Sequence, residues 1–278
     1  MTKLTVSYSE INTARQCPHK HLLSYKQRWT RQTSSLPLIR GTNWHSILEL
    51  WYKGIKDENV TEATTIINEL IESVEDEEQR DILQWMWSGY QEKYGFDQEW
   101  EIIDVENKYE TWLPTPTGSR SKIRIKLKID MVIRDRSSGK YYVVDHKSTG
   151  SPVKTKDYAL DDQFGLYVWG MKQLGYPIFG SYHSAALTRK NKVKPQDLDD
   201  RFARTRLYRT DKELQTLAVE AYHSAAAVWY QGHEHRTPNT ETCSRMCDYK
   251  EACLGGRKGM DEQRLLEASG FVQDFTRH

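Results

Sequence analysis

The chain has 278 residues, enough for one large domain or two small ones. Hydrophobic residues make up 37% and charged residues 28%, which supplies a core, excludes wholesale disorder and leaves no apolar run long enough to cross a membrane. Lys and Arg number 40 against 39 Asp and Glu, a net charge of +1, so any polyanion site must be a local patch.

The first residues, Met1 to Tyr8, have no apolar signal core, and the expected location is cytoplasmic. Residues 1–40 are polar and irregular, with one short helical candidate around Ser9–Trp29. Gly41-Thr42 is expected to open a helix in which Trp44, Ile47, Leu48, Trp51 and Ile55 recur at helical spacing. Further helices are expected at about Thr61–Val74 and Glu77–Tyr94. From Trp100 to Leu113, and again from Ser121 to Lys147, β-branched and aromatic residues dominate and predict strands. Helical patterning returns at Tyr158–Leu174, followed by a short strand at Gly180–Thr188 and a helix at Asp211–Tyr230. Helices, then a compact sheet, then helices suggest an α/β or α+β core with an N-terminal helical insertion.

The four cysteines are Cys17, Cys243, Cys247 and Cys253. Three crowd together near the C-terminus and one lies near the N-terminus. A cytosolic chain of this size does not need disulfides, so the pattern points to one four-ligand metal or cluster site. If the four share a site, the two ends of the chain fold against each other and a single domain is expected. Scattered free thiols are the alternative.

Residues Lys122 to Asp130 alternate strictly. Odd positions are Ile123, Ile125, Leu127 and Ile129; even positions are Lys122, Arg124, Lys126 and Lys128, ending in Asp130. A strand sends alternate side chains to opposite faces, so one face enters the core and the other is a row of cations ending in a carboxylate. Arg136-Ser137-Ser138-Gly139-Lys140 has turn chemistry, and Tyr141 to Lys147 is a second strand. A hairpin folded about Ser137–Ser138 or Ser138–Gly139 sets Asp130 opposite Asp145 or Lys147, with Cβ atoms ~4.5–5.5 Å apart. Two carboxylates that close need a positive partner, which a lysine or a divalent cation can supply. A cation there would suit phosphodiester hydrolysis, with Lys147 orienting or deprotonating water and stabilising negative charge. A plain cross-strand salt bridge is the other reading.

Asp130 followed by Asp145-His146-Lys147 resembles the signature of the PD-(D/E)XK nucleases in its D-x-K form. Gln163 to Tyr167 resembles the Q-x-x-x-Y motif of the RecB-type branch, and Gly41 to His45 resembles its G-x-x-x-H segment. The split cysteines resemble those of the AddAB and CRISPR-associated iron–sulfur exonucleases. The residue before Asp130 is Ile129 where the signature has proline, and the C-terminal cysteines are spaced Cys-x3-Cys-x5-Cys.

The resemblance implies an α/β restriction-endonuclease-like core, a mixed central sheet flanked by helices, with an N-terminal helical insertion and a cluster joining both termini. It implies one nuclease domain over 1–278, with residues 41–95 as the insertion, 100–190 as the catalytic core, and 17 and 243–253 as the cluster region. His45, Asp130, Asp145 and the backbone carbonyl of His146 would bind Mg²⁺ or Mn²⁺, and Lys147 would be the catalytic lysine. Glu106 matches a glutamate of the first core strand, as a catalytic group or a structural salt bridge. Gln163 and Tyr167, which share a helix face, would position DNA. Cys17, Cys243, Cys247 and Cys253 would hold a [4Fe-4S] cluster, with Zn²⁺ as the competing occupant. His233 and His235, near the cysteines, read as loop residues.

The expected function is metal-dependent exonuclease action on DNA, 5′-to-3′ on single strands. Lys126 and Lys128 would meet phosphates, and some of the 9 Trp and 16 Tyr could stack on bases. No phosphate-loop motif is present, so a separate helicase or recombination partner could supply a motor. A non-catalytic nucleic-acid-binding accessory protein and a zinc-stabilised endonuclease are the alternatives.

Overall fold

The computed structural model describes residues 4–33, 35–153, 158–191 and 195–276. Met1 to Lys3 of the polar start, and residues 154–157 of the expected 100–190 core, lie outside the described residues. In chain order the elements are β1 (Leu4–Ser7), α1 (Tyr8–Gln16), α2 (Pro18–His21), a π-helical turn (Leu22–Lys26), β2 (Trp29–Arg31), α3 (Leu36–Lys56), α4 (Val60–Glu72) and α5 (Glu77–Tyr94). Then come β3 (Trp100–Pro114), β4 (Arg120–Asp135), β5 (Tyr141–Thr149), a 3-10 turn (Tyr158–Leu160), α6 (Asp162–Gln173) and β6 (Ile178–Leu187). The chain ends with α7 (Leu198–Arg201), β7 (Phe202–Leu207), α8 (Asp211–Trp229), α9 (Thr240–Arg245), α10 (Lys250–Arg257), α11 (Glu262–Ala268) and β8 (Phe271–Gln273). No described helix is long and apolar enough to cross a membrane.

The main sheet has the order β1-β4-β5-β6-β7, with β3 also paired to β4. β4 and β5 are antiparallel, β5 and β6 parallel, and β6 and β7 antiparallel, so the sheet is mixed. The parallel pair needs a crossover, which α6 supplies. Met131↔Val144 and Ile133↔Tyr142 fix the β4–β5 register as the fold about Ser137–Ser138. The paired ladder ends at Met131↔Val144, one step short of Asp130 and Asp145.

The chain divides into two compact units. One comprises residues 35–111 and 126–218. Its core joins Trp44, Ile47, Leu48 and Trp51 of α3 to Leu83, Met86 and Trp87 of α5 and to Met131, Ile133 and Val144 of the sheet. Each such fully buried side chain contributes roughly 1.5–3 kcal/mol. Gly54 brings α3 against α4, since a Cβ there would lie 2.5 Å from that of Ala63. Leu127 of β4 fills the space that a side chain at Gly170 of α6 would take. Ile123, Ile125, Leu127 and Ile129 are all buried, as their alternation requires.

The other unit comprises residues 1–34, 112–125 and 219–278. Here the two ends of the chain meet. β2 pairs antiparallel with β8, and Leu23, Trp29, Tyr249, Ala252, Leu266 and Phe271 form a small core. Tyr249 donates its hydroxyl to the Trp29 carbonyl at 2.7 Å. Glu10 accepts from Trp229 Nε1 at 2.6 Å and from His21 Nε2 at 2.9 Å.

Three local expectations change. α3 begins at Leu36, not at Gly41, because Pro37 fits the first helical turn and lacks the N–H a helix start leaves unpaired. The Ser9–Trp29 candidate breaks at Cys17, whose extended backbone ends α1 before α2 begins. The helix expected over Tyr158–Leu174 starts at Asp162, capped by Asp161, whose side chain accepts from the Gln163 N–H.

Candidate active site and cysteine cavity

The first unit gathers polar residues from within β3, β4 and β5, Glu106, Asp130 and Asp145, with His45 of α3. Asp130 is buried, and its Oδ2 accepts the backbone N–H of His146 at 2.7 Å. His45, on α3, sets Nδ1 3.3 Å from the same oxygen and 3.8 Å from Glu106 Oε1. One ligand atom each from His45, Glu106 and Asp130 lies within 4.8 Å of the other two. Glu106 also pairs with Lys128, Oε2 to Nζ at 2.8 Å. Its φ of +52° is unusual for a residue with a side chain, and marks an irregularity in β3 that redirects the carboxylate. Backbone strain of that kind concentrates at functional sites.

Asp145 follows on β5 but stands outside that trio. Its Oδ2 lies 2.6 Å from Lys147 Nζ, and its Oδ1 accepts from Gln163 Nε2 at 3.1 Å. Lys147 reaches Gln163 Oε1 at 3.2 Å, and Gln163 Nε2 donates to the Tyr167 hydroxyl at 2.7 Å. Gln163 and Tyr167 are one helical turn apart on α6, which is how both reach one strand end. The two acids therefore have different positive partners, His45 for Asp130 and Lys147 for Asp145.

Burial and charge divide the two carboxylates further. Burial would raise Asp130, but the hydrogen bond and charge of His45 outweigh it and hold the carboxyl at about 2. Burial pushes Asp145 up to about 6, against the opposing pull of Lys147. Burial also works to lower His45, yet Asp130 and Glu106 lift it to about 10. Without a metal His45 is thus a cation, and it must shed a proton before its lone pair can ligate. Lys147 is raised above the ordinary lysine range because Asp145 overcomes its burial. It is held as an ammonium, which suits charge stabilisation rather than removal of a proton from water. Burial drives His146 down to about 3; its ring lies 5.6 Å from that of Tyr52 at an interplanar 14°, and among the described residues neither ring nitrogen has a hydrogen-bond partner.

A network that the sequence did not signal lies behind that ring. Arg204 of β7 grips Asp97 through Nη1 at 2.5 Å and Nη2 at 2.8 Å, and donates to the hydroxyls of Tyr52 and Tyr90 at 3.0 Å each. Its guanidinium carbon sits 3.5 Å from the Tyr94 ring centre and 3.9 Å from that of Trp100. Nothing in the local pattern of Phe202 to Leu207 marks this arginine as buried.

The carboxylates and imidazole of His45, Glu106 and Asp130 form an oxygen-rich set that fits a hard divalent cation. Of the residues named from sequence, His45, Glu106 and Asp130 converge directly, and Asp145, Lys147, Gln163 and Tyr167 form a second connected group. Asp130 bridges toward His146 through the latter's backbone N–H. Lys128 is neutralised in part by Glu106, and Lys126 stands half-buried on the same face.

In the other unit all four cysteines line one cavity of about 290 Å³. Each thiol is partly buried and none is in a disulfide. Burial raises Cys17, but hydrogen bonds from Thr237 and nearby backbone reverse this and lower it. Burial raises Cys247. The Asn239 N–H meets the Cys243 sulfur at 3.4 Å. Four thiols facing one space fit either an iron–sulfur cluster or zinc. A tetrahedral zinc with ~2.3 Å bonds would draw the sulfurs to about 3.8 Å from one another. Among the described residues no three cysteine sulfurs gather within 4.8 Å; the trio that does is His19, Cys253 and Glu262, with His19 Nε2 2.9 Å from Glu262 Oε1. That trio went unnoticed in the sequence, although His19 follows Cys17 by two residues. His233 and His235 lie in the loop before α9.

A family model for the PD-(D/E)XK nuclease superfamily matches residues 5–254. No curated protein matches the chain. Among solved structures, a Eubacterium rectale protein provisionally described as an exonuclease superposes with a TM-score of 0.55 at 15% identity, over 90% of this chain and 88% of its own. A second, described as SSO0001, gives a TM-score of 0.41 at 12% identity over 89% and 88%, too distant to argue from. The first likeness is one of fold.

Proposed function

The chain belongs to the PD-(D/E)XK nuclease superfamily, and from that footing we propose that it is a divalent-metal-dependent DNA exonuclease of the iron–sulfur branch. Its substrate is nucleic acid, and its mixed α/β architecture is the restriction-endonuclease-like one. We read both compact units as parts of one nuclease domain, because the family match takes in segments of each. The observation that carries the catalytic reading is the convergence of His45, Glu106 and Asp130 beside the linked Asp145, Lys147 and Gln163.

His45, Glu106, Asp130 and Asp145 would hold Mg²⁺ or Mn²⁺, joined by the His146 carbonyl. The cation, when bound, polarises a phosphodiester and favours ionisation of water. The chain's own groups do the rest. Lys147, kept protonated by Asp145, faces charge that develops on the phosphate oxygens. Gln163 fixes both Asp145 and Lys147, so neither swings away when the strand leaves. Tyr167 holds Gln163 in turn. The low pKa of Asp130 keeps it ionised, and therefore a donor, throughout the physiological range. In the other unit Cys17, Cys243, Cys247 and Cys253 would hold a [4Fe-4S] cluster with a structural role. We take the substrate to be single-stranded DNA degraded 5′-to-3′, with any helicase or recombination motor supplied by another protein.

The test is digestion of single- and double-stranded DNA labelled at either end, with Mg²⁺, Mn²⁺ or chelator. Mononucleotides or short products should appear from the 5′ end of single strands, and only with metal. Asp145→Ala and Lys147→Ala should each lower the rate by roughly 10³-fold or more. Cleavage that persists in both variants would place the chemistry elsewhere.

A further inference from the structure

Leu36, Pro37, Leu38 and Ile39 form the first turn of α3, and all four are exposed; Leu36 and Leu38 keep about half their surface in water, at 48% and 52%. Four consecutive exposed apolar residues are a liability for a soluble chain unless they serve a contact. Their position is specific. Leu38 precedes His45 by seven residues, two helical turns, so both lie on one face of α3, about 10 Å apart along its axis.

The same turns lie at the end of β5 that carries Asp145 and Lys147. Gly41 meets Ser148, with 3.4 Å between its Cβ position and Ser148 Oγ. Arg40 Nη1 donates to the Thr188 carbonyl at 3.2 Å, and Thr188 N–H donates to the Thr149 carbonyl at 2.8 Å. Exposed Arg189 and Lys190 follow directly. An apolar turn whose Leu38 shares the helix face of His45, joined through the Arg40–Thr188 bond to the segment that bears Arg189 and Lys190, complements a ligand that has flat apolar faces and a polyanionic backbone.

We propose that Leu36, Leu38 and Ile39 form an apolar platform for the bases of a nucleic-acid strand, about three nucleotides from the bond held at the carboxylates. The spacing follows from about 10 Å of helix at ~3.4 Å per stacked nucleotide. Arg189 and Lys190 supply the charge for the phosphates beside it, while half-buried Arg40, held by Gln79 Oε1 at 2.7 Å and by the Thr188 carbonyl, fixes the turn. Apolar side chains of this kind press against or between bases in other nucleic-acid-binding proteins. The proposal rests on the nuclease reading and adds to it a contact that sets the path of the strand.

The test uses L38S/I39S, both positions being exposed and outside the core. An oligonucleotide carrying 2-aminopurine at successive positions is bound by the Asp145→Asn protein, so that cleavage does not intervene. Fluorescence should change most about three nucleotides from the bond at the active site, and L38S/I39S in that background should erase the change and raise Kd roughly fivefold. With Asp145 intact, L38S/I39S should still hydrolyse thymidine 5′-p-nitrophenyl phosphate, which is too short to reach Leu38. Unchanged fluorescence and Kd overturn the proposal. So does an equal loss on the small ester, which would mark a structural role. A dimer that becomes a monomer in L38S/I39S while Kd stays constant also overturns it, because the patch would then join two copies. If the unsubstituted protein hydrolyses neither substrate while the fluorescence pattern holds, the nuclease reading fails and the platform stands.

Discussion

The carboxylate site and the cysteine cavity are built by opposite means. At the first, long strands and long helices deliver each group, and every acid already has a cation: Asp130 has His45, Glu106 has Lys128 and Asp145 has Lys147. The charges there are balanced before any metal arrives. At the second, the thiols come from the break after α1, from the six-residue α9 and the eight-residue α10, and from the turn between them. They line one cavity, with Thr237 bonded to Cys17 and Arg236 to Cys253. A site whose charges are satisfied by its own fold should keep its shape without its metal; one whose ligands only border a cavity depends on what fills it.

The sharpest way to break this contrast is to empty each site in turn. Cys17→Ala should abolish the brown colour and broad visible absorption expected of anaerobically purified protein. It should also destabilise the unit that holds both chain ends, by about 2–4 kcal/mol, the scale of a long-range tie in the unfolded chain. The β2–β8 pairing and the Trp29–Tyr249 core already join those ends, which keeps the loss toward the lower figure. Chelating Mg²⁺, in contrast, should stop cleavage and leave the melting curve nearly unmoved. Colourless protein containing zinc would replace the cluster; a Mg²⁺-dependent fold would undo the comparison.

The carboxylate site was more legible in the sequence than the cavity, for reasons visible in single residues. Asp130 ends the alternating stretch from Lys122 and breaks its sign, so a period of two exposes it. The turn at Arg136 to Lys140 limited the register to two choices, and the observed ladder, ending at Met131↔Val144, follows the one folded about Ser137–Ser138. Helices such as Glu77–Tyr94 were readable because an acid cap, Asp76, starts them and Gly95 ends them. What escaped depends on three dimensions. Glu106 was named through the family resemblance, but its left-handed backbone is not announced by its side chain. Arg204 is largely covered because Asp97, Tyr52 and Tyr90, all distant in sequence, close round it. Gly41-Thr42 resembled a helix start, yet Ser35 and Pro37 supply the real one. The small elements after Gly232 have too little periodicity to read, although the cysteines they carry stood out.

A finer test asks whether Glu106 belongs to the metal site or only to Lys128. Glu106→Gln keeps the size but removes the charge. As a salt bridge to a largely exposed lysine, Glu106 would contribute under about 1 kcal/mol, and activity at saturating metal would scarcely change. As a donor beside His45 and Asp130, its loss should weaken Mn²⁺ binding by about 10–100-fold, with excess metal restoring part of the rate. Rescue by metal is the discriminating result, because a lost salt bridge has no reason to respond to metal concentration. Loss of metal binding would also sharpen the comparison of the two sites, since it would show that the pre-balanced charges do serve a cation.

The smallest expected effect concerns how β4 meets the substrate. The cations of this strand are not equivalent. Arg120 and Arg124 lie over the Trp112 ring, their guanidinium carbons 4.0 and 4.5 Å from its centre, in the unit that holds the cysteines. Lys126 and Lys128 lie in the unit of the carboxylates, and Lys128 already offsets Glu106. If phosphates follow the catalytic region, Lys126→Ala should weaken DNA binding a few-fold and reduce the slope of log K against log salt by about 0.7, the value for one contact to a single strand. Lys128→Ala should affect the slope less, because its charge is partly spent on a neighbouring acid. Arg120→Ala should leave it alone. A slope that falls with Arg120 and not with Lys126 would move the strand toward the cysteine unit, and the division of labour between the two regions would have to be redrawn.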